Sequence, residues 1–188
     1  MTKNIVLLLF IISSLAYSQS NKCELIKNSD NLYEVNKNDV FCLSKNSNEL
    51  TLIYSFGIWC KPCIAHLPNV LNLRENYDLN LYVLLIEKKG SENVKNAIDY
   101  LNKQSENIQI IFIKDEYGNS KNRRYKNFLK DITPISFENI NDMSKYILIN
   151  QEGEVIMVTN YKDNLDNNNW KDDSKMIEKK IIPLLNKN

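Results

Sequence analysis

The stretch Phe56-Gly57-Ile58-Trp59-Cys60-Lys61-Pro62-Cys63 sets two thiols two residues apart, directly after the apolar run Leu50 to Phe56. Such a run reads as a buried strand. A strand passing into a helix near Cys60 leaves the first sulfur at a helix N-terminus, where unpaired backbone N–H groups and the helix dipole stabilise a thiolate. Pro62 suits the first helical turn, where a missing N–H costs nothing and the fixed φ is already helical. The layout is that of a dithiol switch. Half of a structural zinc site is the competing reading, but it needs two further ligands at matching spacing. The sequence has no second Cys-x-x-Cys and no His-x-x-x-His pair, so it indicates neither a metal site nor a cofactor.

Outward from the motif, strand and helix patterns alternate. Leu79 to Ile86 is nearly all apolar, as a doubly buried strand should be. Ser91 reads as the N-cap of a helix reaching about Asn102, with Val94, Ala97, Ile98 and Leu101 on one face. Ile108 to Ile113 is a further strand, and Tyr146–Asn150 and Glu154–Val158 flank the turn Gln151-Glu152-Gly153. A last helix from about Ser174 buries Met176, Ile177, Ile181 and Leu184, with Pro183 bending or ending it. The expected class is α/β, a central mixed β-sheet flanked by helices. Ahead of it, Leu32–Val35 and Asp39–Cys42 around the polar turn Asn36-Lys37-Asn38 read as an N-terminal β-hairpin extension.

Residues 1–18 carry a positive start, a short apolar core and small residues before Ser18, the pattern of an export signal peptide cleaved after Ser18. The core is shorter than the roughly 20 residues of a membrane span, so a membrane association is expected only if the segment stays uncleaved. Cleavage subtracts Lys3 alone from the 24 basic residues, leaving them equal to the 23 acidic ones. A neutral chain excludes an electrostatic nucleic-acid binder. An exported chain meets oxidising conditions, and Cys23 and Cys42 remain beyond the motif. They are read as a structural disulfide, with two unpaired thiols or a relay pair feeding Cys60 as the alternatives.

The run Leu52 to Pro68 resembles the thioredoxin superfamily, and Pro68, five residues after Cys63, resembles its TlpA/ResA-like envelope branch. The resemblance covers about residues 48–188, dividing the chain into a signal peptide (1–18), an N-terminal extension (19–47) and a thioredoxin-like domain (48–188). It implies an exported thiol-disulfide oxidoreductase, in the periplasm or cell envelope of a bacterium, acting on protein thiols or disulfides with a redox partner. Cys60 would be the nucleophile and Cys63 the resolving thiol, with Lys61 adding positive charge nearby. Trp59 would face substrate, and Thr133-Pro134 resembles the family's cis-proline loop, which offers backbone groups to a substrate strand. Ten residues, Ile135 to Ser144, then intervene before the next strand and would lie beside the active site.

His66, the only histidine, falls one helical turn after Cys63, where the branch often has a Glu proposed to handle protons. It is a candidate for proton handling, set against a partly exposed residue with no role. Thioredoxin carries a buried Asp six residues before the first Cys; here that residue is Tyr54, so the acid is absent from the strand. Two other function classes stand beside the oxidoreductase. One is a Cu(I)-binding metallochaperone using both thiolates and His66, although related copper chaperones space their cysteines more widely. The other is a non-catalytic binding module.

Overall fold

The computed structural model describes residues 23, 25–29, 32–166 and 169–187. The signal segment 1–18 lies outside them. Seven strands form one mixed sheet: β1 (Ile26–Ser29), β2 (Leu32–Val35), β3 (Leu50–Phe56), β4 (Leu79–Leu85), β5 (Gln109–Ile113), β6 (Tyr146–Ile149) and β7 (Val155–Val158), in the order β1-β2-β5-β4-β3-β6-β7. β3 pairs in parallel with β4 along its whole length and antiparallel with β6, and β5 is parallel to both β4 and β2. β3 is buried throughout. Its alternate residues Leu52, Tyr54 and Phe56 enter one core, while Ile53 enters the other.

Helices cover both faces. α2 (Lys61–Asn76) and α3 (Glu92–Gln104) bury Leu67, Val70, Ala97 and Leu101 on the Tyr54 side, and α1 (Lys37–Lys45) and α4 (Lys121–Ile132) bury Val40, Tyr125, Phe128 and Leu129 on the Ile53 side. Ser91 takes the N-cap position of α3, although its side chain makes no capping bond. The final helix, α5, spans 174–185 and contains a π turn at Ile177–Ile181 immediately before Ile182–Leu185. Pro183 has no N–H to return to the preceding turn, and the wider turn absorbs that loss. The widening also shifts the helix phase. Leu185, rather than Leu184, therefore becomes the buried residue of the last turn.

The N-terminal hairpin exists, but with different strands from those expected. β1 pairs antiparallel with β2, so Leu32–Val35 is its second strand, and Asp39–Cys42 lies within α1. The cause is local. The Asn36 side chain accepts the Asp39 N–H at 3.1 Å while the Asp39 carboxylate accepts the Asn36 N–H at 2.7 Å, a reciprocal cap that starts a helix where a polar turn was read. β2 then joins the sheet beside β5, so the segment before residue 48 is part of the central sheet. Cys23 and Cys42 are joined as a disulfide across 19 residues, with their Cα atoms 5.7 Å apart.

Replacing the cap residue tests how α1 is held. Asn36→Ala should lower unfolding stability by about 1 kcal/mol, read by urea denaturation as a lower midpoint with unchanged slope.

Candidate active site

β3 ends at Phe56, and three residues later the chain enters α2 with Cys60 as its N-cap. The Cys60 sulfur accepts the Cys63 N–H at 3.2 Å, and the two cysteines form a disulfide. Cys60 is 5 % exposed and Cys63 fully buried, so of the two residues only Cys60 reaches solvent. Pro62 occupies the first turn, and Lys61 is exposed beside it.

The loop Gly57–Trp59 is held from the side. Trp59 is 46 % exposed, and the Lys121 ammonium sits 4.4 Å from the centre of its ring. A Cβ on Gly57 would lie 2.9 Å from that ring, which is why glycine stands there. Below the loop the buried Glu87 carboxylate accepts the Ile58 N–H at 3.2 Å, and its other oxygen lies 3.5 Å from Lys121 Nζ. Sequence reasoning missed Glu87 and Lys121. An acid ending an otherwise apolar strand run was the available signal for the first.

His66 is buried, not a surface residue. Nδ1 lies 2.7 Å from Ser144 Oγ and 3.4 Å from an Asp173 carboxylate oxygen, and Nε2 lies 2.9 Å from the Trp170 carbonyl. Ser144 Oγ is also 2.8 Å from the Tyr54 hydroxyl, which donates to the Cys63 carbonyl at 3.0 Å. The Tyr146 ring lies tilted against Tyr54 with centroids 5.0 Å apart and its hydroxyl donates to Asp173, and Asn69 donates to the same carboxylate at 2.6 Å. The acid missing from β3 is thus replaced near His66 by Asp173, which arrives from the segment after β7. No local motif marks it.

Thr133 and Pro134 do not form a cis-proline loop, since the described residues contain no cis peptide bond. Thr133 caps α4, its N–H donating to the Leu129 carbonyl at 3.0 Å. The ten inserted residues move the strand entry away from the proline. Met143-Ser144-Lys145 precede β6 instead, with Ser144 at φ 63° and Lys145 exchanging hydrogen bonds with Ser55. Pro62, His66, Met143 and Ser144 then line an open pocket of about 280 Å³ together with Tyr161, Leu165 and Trp170. Among the described residues no group of three or more His, Cys, Asp or Glu side chains is placed to hold a metal ion.

Burial is the main cause pushing the hydroxyls of Tyr54, Tyr125 and Tyr146 above the usual 10.0. A phenol whose pKa is raised by folding contributes stability that is complete below its unfolded value and is lost as pH rises toward the folded one. Urea midpoints should therefore fall above about pH 10, with phenolate absorbance appearing together with unfolding. At the loop, Gly57→Ala should displace the Trp59 ring and weaken its contact with Lys121. In a Trp170→Phe background, the remaining tryptophan's emission should change while circular dichroism stays native.

A scan against protein-family models gave no match, and neither did a comparison with curated proteins. Solved structures do match. A thioredoxin-like protein in the oxidised form aligns at a TM-score of 0.50 and 16% identity, over 87% of this chain and 90% of its own. A thioredoxin-like protein from Porphyromonas gingivalis aligns at 0.47 and 12%, over 74% and 77%, and yeast Sco1 at 0.47 and 14%, over 77% and 89%. The first of these likenesses, at a TM-score of 0.50, establishes the fold alone, which is thioredoxin-like.

Proposed function

We propose that this chain is a thiol-disulfide oxidoreductase that exchanges the Cys60–Cys63 pair with protein thiols or disulfides. The observation that carries the reading is Cys60 capping α2 in a disulfide with Cys63, beside the exposed Trp59. A substrate thiolate attacks Cys60 Sγ, the Cys60–Cys63 bond breaks, and Cys63 leaves as a thiolate that takes up a proton. A second substrate thiolate then attacks the substrate sulfur of the mixed disulfide. Cys60 is released as a thiolate stabilised by the first turn of α2, and two electrons have passed to the protein. The reverse sequence reduces a substrate disulfide. His66 handles protons in this scheme.

Export through residues 1–18, a place in the bacterial periplasm or envelope and affiliation with the TlpA/ResA-like branch belong to the same proposal. So do a structural role for Cys23–Cys42 and a redox partner that resets the dithiol. The Cu(I) alternative is weaker in this arrangement, because both ring nitrogens of His66 already have partners.

Wild type should catalyse insulin reduction by dithiothreitol, and Cys60→Ser should abolish it. Cys63→Ser should accumulate mixed disulfides through Cys60 on non-reducing gels. Partners trapped through Cys63 in the Cys60→Ser protein would reverse the two roles, and no turnover by wild type would refute the reading.

A further inference from the structure

We propose that Tyr54, Ser144 and Asp173 are positioning residues that join the His66 ring and the Cys63 turn of α2 into one hydrogen-bonded unit. The inference rests on the oxidoreductase reading. A carbonyl only accepts, so the Trp170 oxygen at 2.9 Å requires the proton of neutral His66 to sit on Nε2. Nδ1 is then the nitrogen that gains and loses a proton. Its partners are Ser144 Oγ and the carboxylate of Asp173, and the titratable groups around the ring are Asp173, Tyr54 and Tyr146.

The donors along this chain run in an order fixed by the state of Nδ1. With Nδ1 bare, the Ser144 hydroxyl donates to it, and the Tyr54 proton is divided between Ser144 Oγ and the Cys63 carbonyl. With Nδ1 protonated, the ring donates to Ser144 Oγ, the Ser144 proton turns to the Tyr54 oxygen, and the Tyr54 proton belongs to the Cys63 carbonyl alone. Burial keeps the Tyr54 phenol protonated in both states. A donor committed to that carbonyl draws electron density from the peptide of the residue whose sulfur becomes anionic when the disulfide opens. The His66 unit therefore eases departure of the Cys63 thiolate as the disulfide opens, acting through Ser144 and Tyr54. Asp173, 1 % exposed and held by Tyr146 and Asn69, lies 3.4 Å from Nδ1 and fixes the ring from there.

The rate at which reduced glutathione opens the Cys60–Cys63 disulfide measures the effect. Tyr54→Phe and His66→Ala should each slow opening by about two- to tenfold, the range of a single hydrogen bond. The double variant should be no slower than His66→Ala, because one chain has been cut twice. Factors that multiply, or a Tyr54→Phe protein matching wild type, overturn the proposal. The single histidine allows a second measurement that does not depend on exchange. Nitrogen NMR should find Nε2–H in the neutral ring, with both ring nitrogens shifting in Tyr54→Phe, Ser144→Ala and Asp173→Asn. An Nδ1–H ring, or resonances unmoved by all three, also overturns it. A wild type that does not exchange refutes the function, and these spectra still decide the hydrogen-bonded unit.

Discussion

The site depends on β3 being paired on both edges and buried on both faces. Seven residues matched one to one with β4, and four of them with β6, leave the strand no freedom to slide, because a one-residue slip would exchange the Tyr54 and Ile53 faces. Phe56 is therefore a fixed point, and only Gly57–Trp59 separate it from the cap of α2. The Cys60 sulfur inherits its position from the sheet. The loop is short enough to need little else, and Glu87 and the Trp59–Lys121 contact supply it.

Around this fixed point the chain adds two long excursions, 133–145 and 159–173, and a buried cation ties them together. Lys145 is 1 % exposed and donates to the Thr159 carbonyl at 2.5 Å, while its ammonium lies 2.6 Å from the Asp142 carboxylate. Asp142 in turn accepts the Tyr161 N–H at 2.5 Å. A buried charge is tolerable only when paired and hydrogen-bonded, and removing one partner costs about 3–5 kcal/mol. The two excursions therefore settle as one body, which brings Ser144 and Asp173 to the same histidine from positions 29 residues apart.

Where the sequence carried a period, the fold could be read. The apolar runs of β3, β4 and β5 and the single-faced pattern of α3 hold because each element is shaped mainly by its own residues. α1 was misread because Val40-Phe41-Cys42 is a strand-like triplet whose fate is decided by the cap at Asn36. α4 went unnoticed although Tyr125, Phe128, Leu129 and Ile132 have helical spacing and Ser120 accepts the Arg123 N–H at its start. The surroundings of His66 were beyond any local reading. Its partners are a hydroxyl, a backbone carbonyl and a carboxylate 78 to 107 positions away, placed by the packing of the excursions. The proline expectation failed for a related reason. The ten inserted residues after Pro134 carry the chain away before β6 begins at Tyr146, so the dipeptide lacks the strand that must follow it at once.

The Cys23–Cys42 bond has a mechanical consequence. A pull applied near the start of the described chain enters at Cys23 and passes through the disulfide to Cys42 in α1, bypassing the covalent path through β1 and β2. Tension on the N-terminal side is thus carried by a helix packed against the sheet, while the hairpin at the sheet edge stays slack. A protein held by its beginning could be tugged without peeling away its outermost strands, and the shortest measured contour length would lack the segment enclosed by that bond.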